Sequence, residues 1–377
     1  MAGTYLDYAA TTPVDPRVAD LVLRLMVEEF GNSGSRTHVY GAEAAKVVER
    51  AREQVAHVVE IESSGVVFTS GATEANNLAL LGLADEGRAN GRMHVVSTSI
   101  EHKAVLEPLE VLAKRGFDVE LVDPDAEGAV NADDVASRVR EDTLLVSVMH
   151  VNNETGVRQP IAEIADRLED PGVYFHVDAA QGFGKELESL RHERVDLMST
   201  SGHKLFAPKG IGALLLRRRQ RRKPPVCPLM YGGGQERGIR PGTQAVPLIA
   251  GFGLAAELAV REHQQRLSGM IANHEAFVAA LSQVGAVFNG DHGVRVPFIL
   301  NAGLPGVDSE AAILALRDLA AVSNGSACTS SSYEPSHVLR AMNVDPELAR
   351  CALRFSWGAE PVGDLAEQVG ARLAALL

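Results

Sequence analysis

Val173-Tyr174-Phe175-His176-Val177-Asp178, followed by Val195-Asp196-Leu197-Met198-Ser199-Thr200-Ser201-Gly202-His203-Lys204, reads as two short strands that each run into a polar turn. Apolar runs of this length suit strands covered on both faces, as parallel sheets require. Outward from this pair, similar runs occur at 66–69, 94–97, 144–148 and 212–216, with helical patterns between them at 42–59, 103–115 and 161–168. Alternating strands and helices predict parallel pairing through crossovers, with chemistry in the loops after the strands' carboxyl ends. After about Gly242 the texture changes. A helical stretch around 248–281 reads as a connector to strands at 297–301 and 351–356 and to helices near 309–319 and 362–376. The expected class is α/β: a large domain, 13–257, with a mostly parallel mixed sheet flanked by helices, and a smaller α+β domain built from 1–12 and 258–377.

Bulk composition narrows the function by exclusion. The chain has 377 residues, 46% hydrophobic and 23% charged, ordinary values for a globular protein. Thirty-six basic against 49 acidic residues give a net charge of −13, which recruits neither nucleic acid nor an anionic membrane. Three widely spaced cysteines make no disulfide framework and fit a reducing cytoplasm. The N-terminus lacks a basic segment followed by an apolar run, and 246–260 is too short and too interrupted to span a bilayer. The expected location is cytoplasmic.

Four segments carry candidate chemistry. Lys204 sits in a small-residue turn at a strand end, where a neutral amine would form an imine with a cofactor aldehyde. By itself such a lysine is usually only a solvated loop charge. Asp178, ending the preceding strand, suits a protonated pyridine nitrogen, or else the N-cap of a helix. Thr69-Ser70-Gly71-Ala72-Thr73-Glu74-Ala75-Asn76 is a strand–turn–helix start whose free N–H groups and hydroxyls suit a phosphate, or simply cap a helix. His102, in Ile100-Glu101-His102-Lys103, would lie over a flat ring and exchange protons, or sit at the surface.

Together, in this order and spacing, the segments resemble fold-type I, aminotransferase-like pyridoxal-phosphate enzymes, and more narrowly the NifS/IscS-type cysteine desulfurases. The resemblance runs from Tyr5-Leu6-Asp7-Tyr8-Ala9-Ala10-Thr11-Thr12-Pro13 to Leu353-Arg354-Phe355-Ser356. It implies that Lys204 carries the covalent link to pyridoxal 5'-phosphate, that Asp178 binds the pyridinium nitrogen and Gln181 the phenolic oxygen, and that His102 stacks on the ring. Ala72, Thr73, Ser201 and His203 would hold the phosphate, with Thr243 reaching in from a second subunit of a homodimer. Arg354 and Asn153 would grip the substrate carboxylate. No metal is implied.

These residues do not select among transaminases and lyases. The discriminating segment is Ser323-Asn324-Gly325-Ser326-Ala327-Cys328-Thr329-Ser330, where small polar neighbours set Cys328 apart from Cys227 and Cys351, which read as buried small hydrophobes. It matches the catalytic loop of the first desulfurase group, in which the cysteine takes sulfur from L-cysteine as a persulfide and L-alanine leaves. Selenocysteine lyase, a related lyase or aminotransferase, and a non-enzymatic sulfur-relay protein stay open as alternatives. Asn324 stands where the family usually has serine, and Trp357-Gly358-Ala359-Glu360-Pro361 replaces a threonine-bearing run. The short chain end puts docking to an iron–sulfur scaffold in doubt, and the Ser-Tyr-Glu-Pro stretch, 332–335, resembles desulfurases of DNA phosphorothioation. The expected acceptor is a protein of one of those two systems. The run Arg217-Arg218-Arg219-Gln220-Arg221-Arg222-Lys223 reads as a solvated turn, with a docking patch for an acidic partner as the lesser alternative and no direct nucleic-acid binding.

Overall fold

The computed structural model describes residues 3–219, 223–291, 293–324 and 336–377. Among them, seven strands form one sheet in the spatial order Val66–Thr69, Gly212–Leu216, Leu197–Ser201, Tyr174–Asp178, Thr143–Met149, His94–Thr98, Asp118–Val122. The five strands from Leu197–Ser201 to Asp118–Val122 are parallel, whereas Gly212–Leu216 pairs antiparallel with both of its neighbours. The expected mostly parallel mixed sheet is therefore present. Its two faces carry separate apolar layers: Val66, Phe68, Val146, Val148, Phe175 and Val177 on one, Val67, Val95, Leu145, Leu197 and Leu214 on the other. Odd and even positions of a strand point to opposite faces, and both layers are covered by helices.

Beyond Gly242 the helical stretch is two helices, Val246–Arg261 and His263–Gln283, because Glu262 leaves helical geometry (φ −103°, ψ 10°). They lead to an antiparallel sheet of Ala352–Ser356, Ile299–Gly303 and Val287–Phe288 over a core that includes Phe277, Phe355 and Trp357. Among the described residues no helix is long and apolar enough to cross a membrane.

Several expectations need correction. The edge strand Asp118–Val122 escaped the reading because its partly exposed, polar-interrupted sequence lacks an apolar run. Cys351 is buried, yet it caps the helix Pro346–Arg350 rather than lying in the strand that follows. Cys227 is only half-buried. The basic run is no free cluster where it is described. Arg217 donates from Nη2 to the carbonyls of Val59 (2.9 Å) and Leu190 (3.1 Å), and from Nε to Val195 (3.2 Å). Arg219 donates to Pro171 (2.5 Å) and faces the buried Asp196. These guanidinium groups satisfy carbonyls of a helix end and of turns that the helix and sheet ladders leave unpaired. Gln220, Arg221 and Arg222 lie outside the described residues.

One buried ion pair pins the long connection after Gly212–Leu216 to the sheet. Arg52, 5% exposed, grips Glu236 through two bonds of 2.7 and 2.9 Å and also donates to the Val66 carbonyl at 2.8 Å. Glu236 in turn accepts from the Phe68 amide at 3.0 Å. It keeps φ at 45°, with Arg237 at 57°, a left-handed conformation that costs energy without glycine. Arg52→Ala would leave Glu236 charged and unpaired in the interior. We expect a loss of about 3–5 kcal/mol, read as a lower urea midpoint at an unchanged slope.

Candidate functional site

The strands His94–Thr98 and Thr143–Met149 are parallel neighbours, but the chain leaves the first towards Asp118–Val122 on one side and resumes with the second on the other. Connections diverging in this way open a crevice at the strands' carboxyl ends. The crevice encloses about 510 Å³ and is lined by Ala72, Thr73, His102, Asn153, Asp178, Gln181, Ser201, His203, Lys204 and Arg354, all predicted from sequence. A wider cleft of about 930 Å³ around Arg158, Lys185 and His263 contains none of them. Thr243 is exposed and does not line the crevice. Cys328 lies outside the described residues.

Each side chain owes its place to a strand end or helix start. Asp178 closes Tyr174–Asp178 and is 6% exposed. Its Oδ1 accepts from the Ala180 amide (3.0 Å) and its Oδ2 from Asn76 Nδ2 (2.7 Å). Asn76 is fully buried and was missed as a site residue; it lies four positions after Ala72, on the same face of the helix Ala72–Gly82. That helix begins at Gly71 with no side-chain cap, so its first amides face the crevice without an intrahelical acceptor. Close approach there depends on Gly212, where a Cβ would sit 2.4 Å from the Thr200 oxygen and 2.7 Å from Gly71 Cα.

Lys204 occupies a single 3-10 turn after Leu197–Ser201, and its Nζ donates to the carbonyls of Ala9 and of Ala10, the latter at 2.8 Å. Gln181 donates to the same Ala9 carbonyl (2.9 Å), while its Oε1 is buried without a partner among the described residues. The N-terminal segment thus forms one wall of the crevice, a role that its lack of titratable side chains at 9–10 concealed. His203 contacts the Thr11 hydroxyl (3.3 Å) and is pushed down to about 4, first by burial and then by Lys204, Lys209 and Lys185. At neutral pH its ring is uncharged.

His102 caps the helix Lys103–Lys114, with Nδ1 accepting from the Ala104 amide at 3.0 Å. Burial, aided by Lys204 and His337 and opposed by Asp178, holds it below the ordinary imidazole range. The neutral ring therefore carries its proton on Nε2. Arg354 comes from the small sheet, where Leu353 and Phe355 point into the core and Arg354 points the other way. It is 3% exposed, pairs with Asp7 (2.8 Å), and donates to the Asn153 carbonyl (3.0 Å). Its Nε is buried and has no partner among the described residues. The arrangement can hold an anion at the helix start, a planar ring over Asp178 and a carboxylate at Arg354.

The aminotransferase class-V profile matches residues 4–362. A curated relative, cysteine desulfurase IscS of Azotobacter vinelandii, is 46% identical over 359 residues, covering 94% of this chain and 87% of the relative. Among solved structures, DndA from Streptomyces lividans is 51% identical with a TM-score of 0.82, covering 94% of this chain and 99% of its own. A NifS-like protein has a TM-score of 0.91 at 34% identity, covering 99% of this chain and 98% of its own.

The Asn76–Asp178 contact can be tested directly. Asn76→Asp would put two carboxylates within bonding distance, and both cannot ionise together. A carboxyl carbon NMR titration should show one of the pair retaining its proton well above pH 5; two ordinary carboxylate titrations would mean that the contact is not made.

Proposed function

The chain belongs to the aminotransferase class-V family, and from that membership we propose how its own residues carry out the pyridoxal-phosphate-dependent desulfuration of L-cysteine. The crevice fits the cofactor on four counts: uncapped amides at a helix start for the phosphate, a buried carboxylate in Asp178, an amine in Lys204, and a side-chain amide in Gln181 with one hydrogen beyond that given to Ala9. When bound, pyridoxal phosphate ties up the amino group of an amino acid and accepts the electrons released at its Cα.

The remaining work falls to side chains. The amides of Ala72 and Thr73, the hydroxyls of Thr73 and Ser201, and neutral His203 bind the phosphate, as a helix start suits an anion. Asp178 keeps a proton on the ring nitrogen. Gln181 has a second amide hydrogen beyond the one given to Ala9, and that hydrogen serves the phenolic oxygen. Lys204 forms the covalent link and then moves the α-proton. Arg354 holds the substrate carboxylate through its buried Nε and adjacent Nη, with Asn153 beside it. Cys328, as a thiolate, bonds to the sulfur of L-cysteine while the C–S bond breaks. Carbon gains a proton, L-alanine leaves, and Cys328 retains the sulfur. His102, neutral with its proton on Nε2 because Nδ1 accepts from the Ala104 amide, donates a hydrogen bond from Nε2 that stabilises the Cys328 thiolate, whose proton passes to solvent.

The observation carrying this reading is that Lys204, Asp178, His102 and Arg354, from four separate segments, line one crevice. The exposed Thr243 supports a homodimer in which it completes the neighbour's phosphate site. The large unit, 13–257, would supply the cofactor floor and the small unit, 1–12 with 258–377, Arg354 and the thiol. A free thiol at Cys328 fits a cytoplasmic setting. The sulfur acceptor is a protein of iron–sulfur assembly or of DNA sulfur modification, and the resemblance to a DndA at 51% identity supports the second.

Cys328→Ser should keep the absorbance of the protein-linked cofactor but retain no sulfur when L-cysteine is added; normal persulfide labelling of that variant would refute the assignment. Lys204→Ala should lose the borohydride-reducible cofactor link. Arg354→Ala should raise KM for L-cysteine by about tenfold or more, the worth of one charge-assisted pair of about 1.5–3 kcal/mol.

A further inference from the structure

Glu101 is fully buried, immediately before His102. Its Oε1 accepts from the Thr98 hydroxyl (2.8 Å) and the Met149 amide (2.7 Å), so it stitches the ends of the two strands that open the crevice. Its Oε2 is buried and has no partner among the described residues. Among the described residues no basic side chain bonds its carboxyl. The charged groups around this turn are Asp178 from the neighbouring strand, of the same sign, and, beside His102, Lys204, Glu154 and His337. Ionising a buried carboxyl with one unpartnered oxygen and a like charge nearby is costly.

The backbone of Glu101 makes a second link. Its carbonyl accepts from His337 Nε2 at 2.9 Å, and His337 begins the helix His337–Ala341. Next to it, Ser336 donates to the buried Glu154 at 2.5 Å. Val338 and Leu339 pack with Ile100 and Met149. The turn that carries His102 is thereby joined to the helix following the segment that holds Cys328 in the sequence.

We infer that Glu101 is a positioning residue for His102: its side chain, a neutral carboxylic acid, locks the imidazole's turn onto the strand Thr143–Met149, while its backbone carbonyl joins the turn to the helix His337–Ala341. The role rests on the proposed reading that His102 serves the Cys328 thiolate. Burial first, then Asp178, pushes Glu101 up to about 8, against the bonds from Thr98 and Met149. It is therefore protonated at neutral pH and ionises as pH rises through about 8, where a buried carboxylate with one oxygen unpartnered among the described residues would loosen the turn that places His102.

Two measurements on the holoenzyme decide the matter. An infrared difference spectrum, wild type minus Glu101→Gln, should show the C=O stretch of a protonated carboxylic acid at neutral pH, fading above pH 8. Its absence at neutral pH would overturn the inference. Because this readout needs no turnover, it stands even if the desulfurase reading fails through Cys328. In steady-state kinetics with L-cysteine, Glu101→Ala should lose about tenfold or more in kcat with a smaller change in KM. Glu101→Gln, which copies the neutral acid, should stay within about threefold of wild type and keep its activity to higher pH. Equal losses in both variants, or a Glu101→Gln profile that falls at the same pH as wild type, would count against a positioning role.

Discussion

Asp178 holds a carboxylate at the end of a parallel strand, 6% exposed, fixed by the side chain of Asn76 and the amide of Ala180. A buried anion of this kind needs either a cation or directed donors. Here the donors fix its orientation and leave the crevice above it to supply positive charge. Lys204, the uncapped helix start at Ala72 and the guanidinium of Arg354 all face that space. The site is arranged as a ring of donors and cations around an anionic floor, which is what an anionic cofactor with a protonated ring nitrogen demands.

The scaffold brings these groups together through sheet topology. His102, Asn153, Asp178 and Lys204 each follow a strand of the parallel set, so register alone delivers them to one edge. Arg354 arrives from the antiparallel sheet, where strand alternation turns it away from Phe355 and the apolar core. Its pairing with Asp7 ties the N-terminal segment into the wall formed by Ala9 and Ala10. Two small clusters, one around Ile100 and Met149 and one around Arg52 and Glu236, then hold the turns that neither sheet controls.

Much of this was legible in the chain because each chemical residue sits beside a strong local signal. Apolar runs mark the strand ends, and Asp178, His102 and Lys204 follow them within a few residues. Contacts between distant segments were not legible. Nothing local ties Asn76 to Asp178, Glu101 to His337, or the carbonyl of Ala9 to Lys204. Backbone carbonyls have no identity in sequence. The basic run shows the opposite failure: its composition suggested an exposed turn, yet Arg217 and Arg219 serve carbonyls of a helix end and a turn that only folding brings beside them.

Sequence by itself determined the α/β class, every strand of the large sheet except Asp118–Val122, and the residue types able to handle a cofactor, because period and punctuation are properties of short windows. Tertiary structure alone decided that, among the described residues, Glu101 is buried without a counter-ion, Arg354 keeps an unpartnered Nε and the first amides of Ala72–Gly82 have no side-chain cap. Burial and hydrogen-bond satisfaction depend on which remote segments come to lie against a group. That is settled by packing, not by neighbours in the chain.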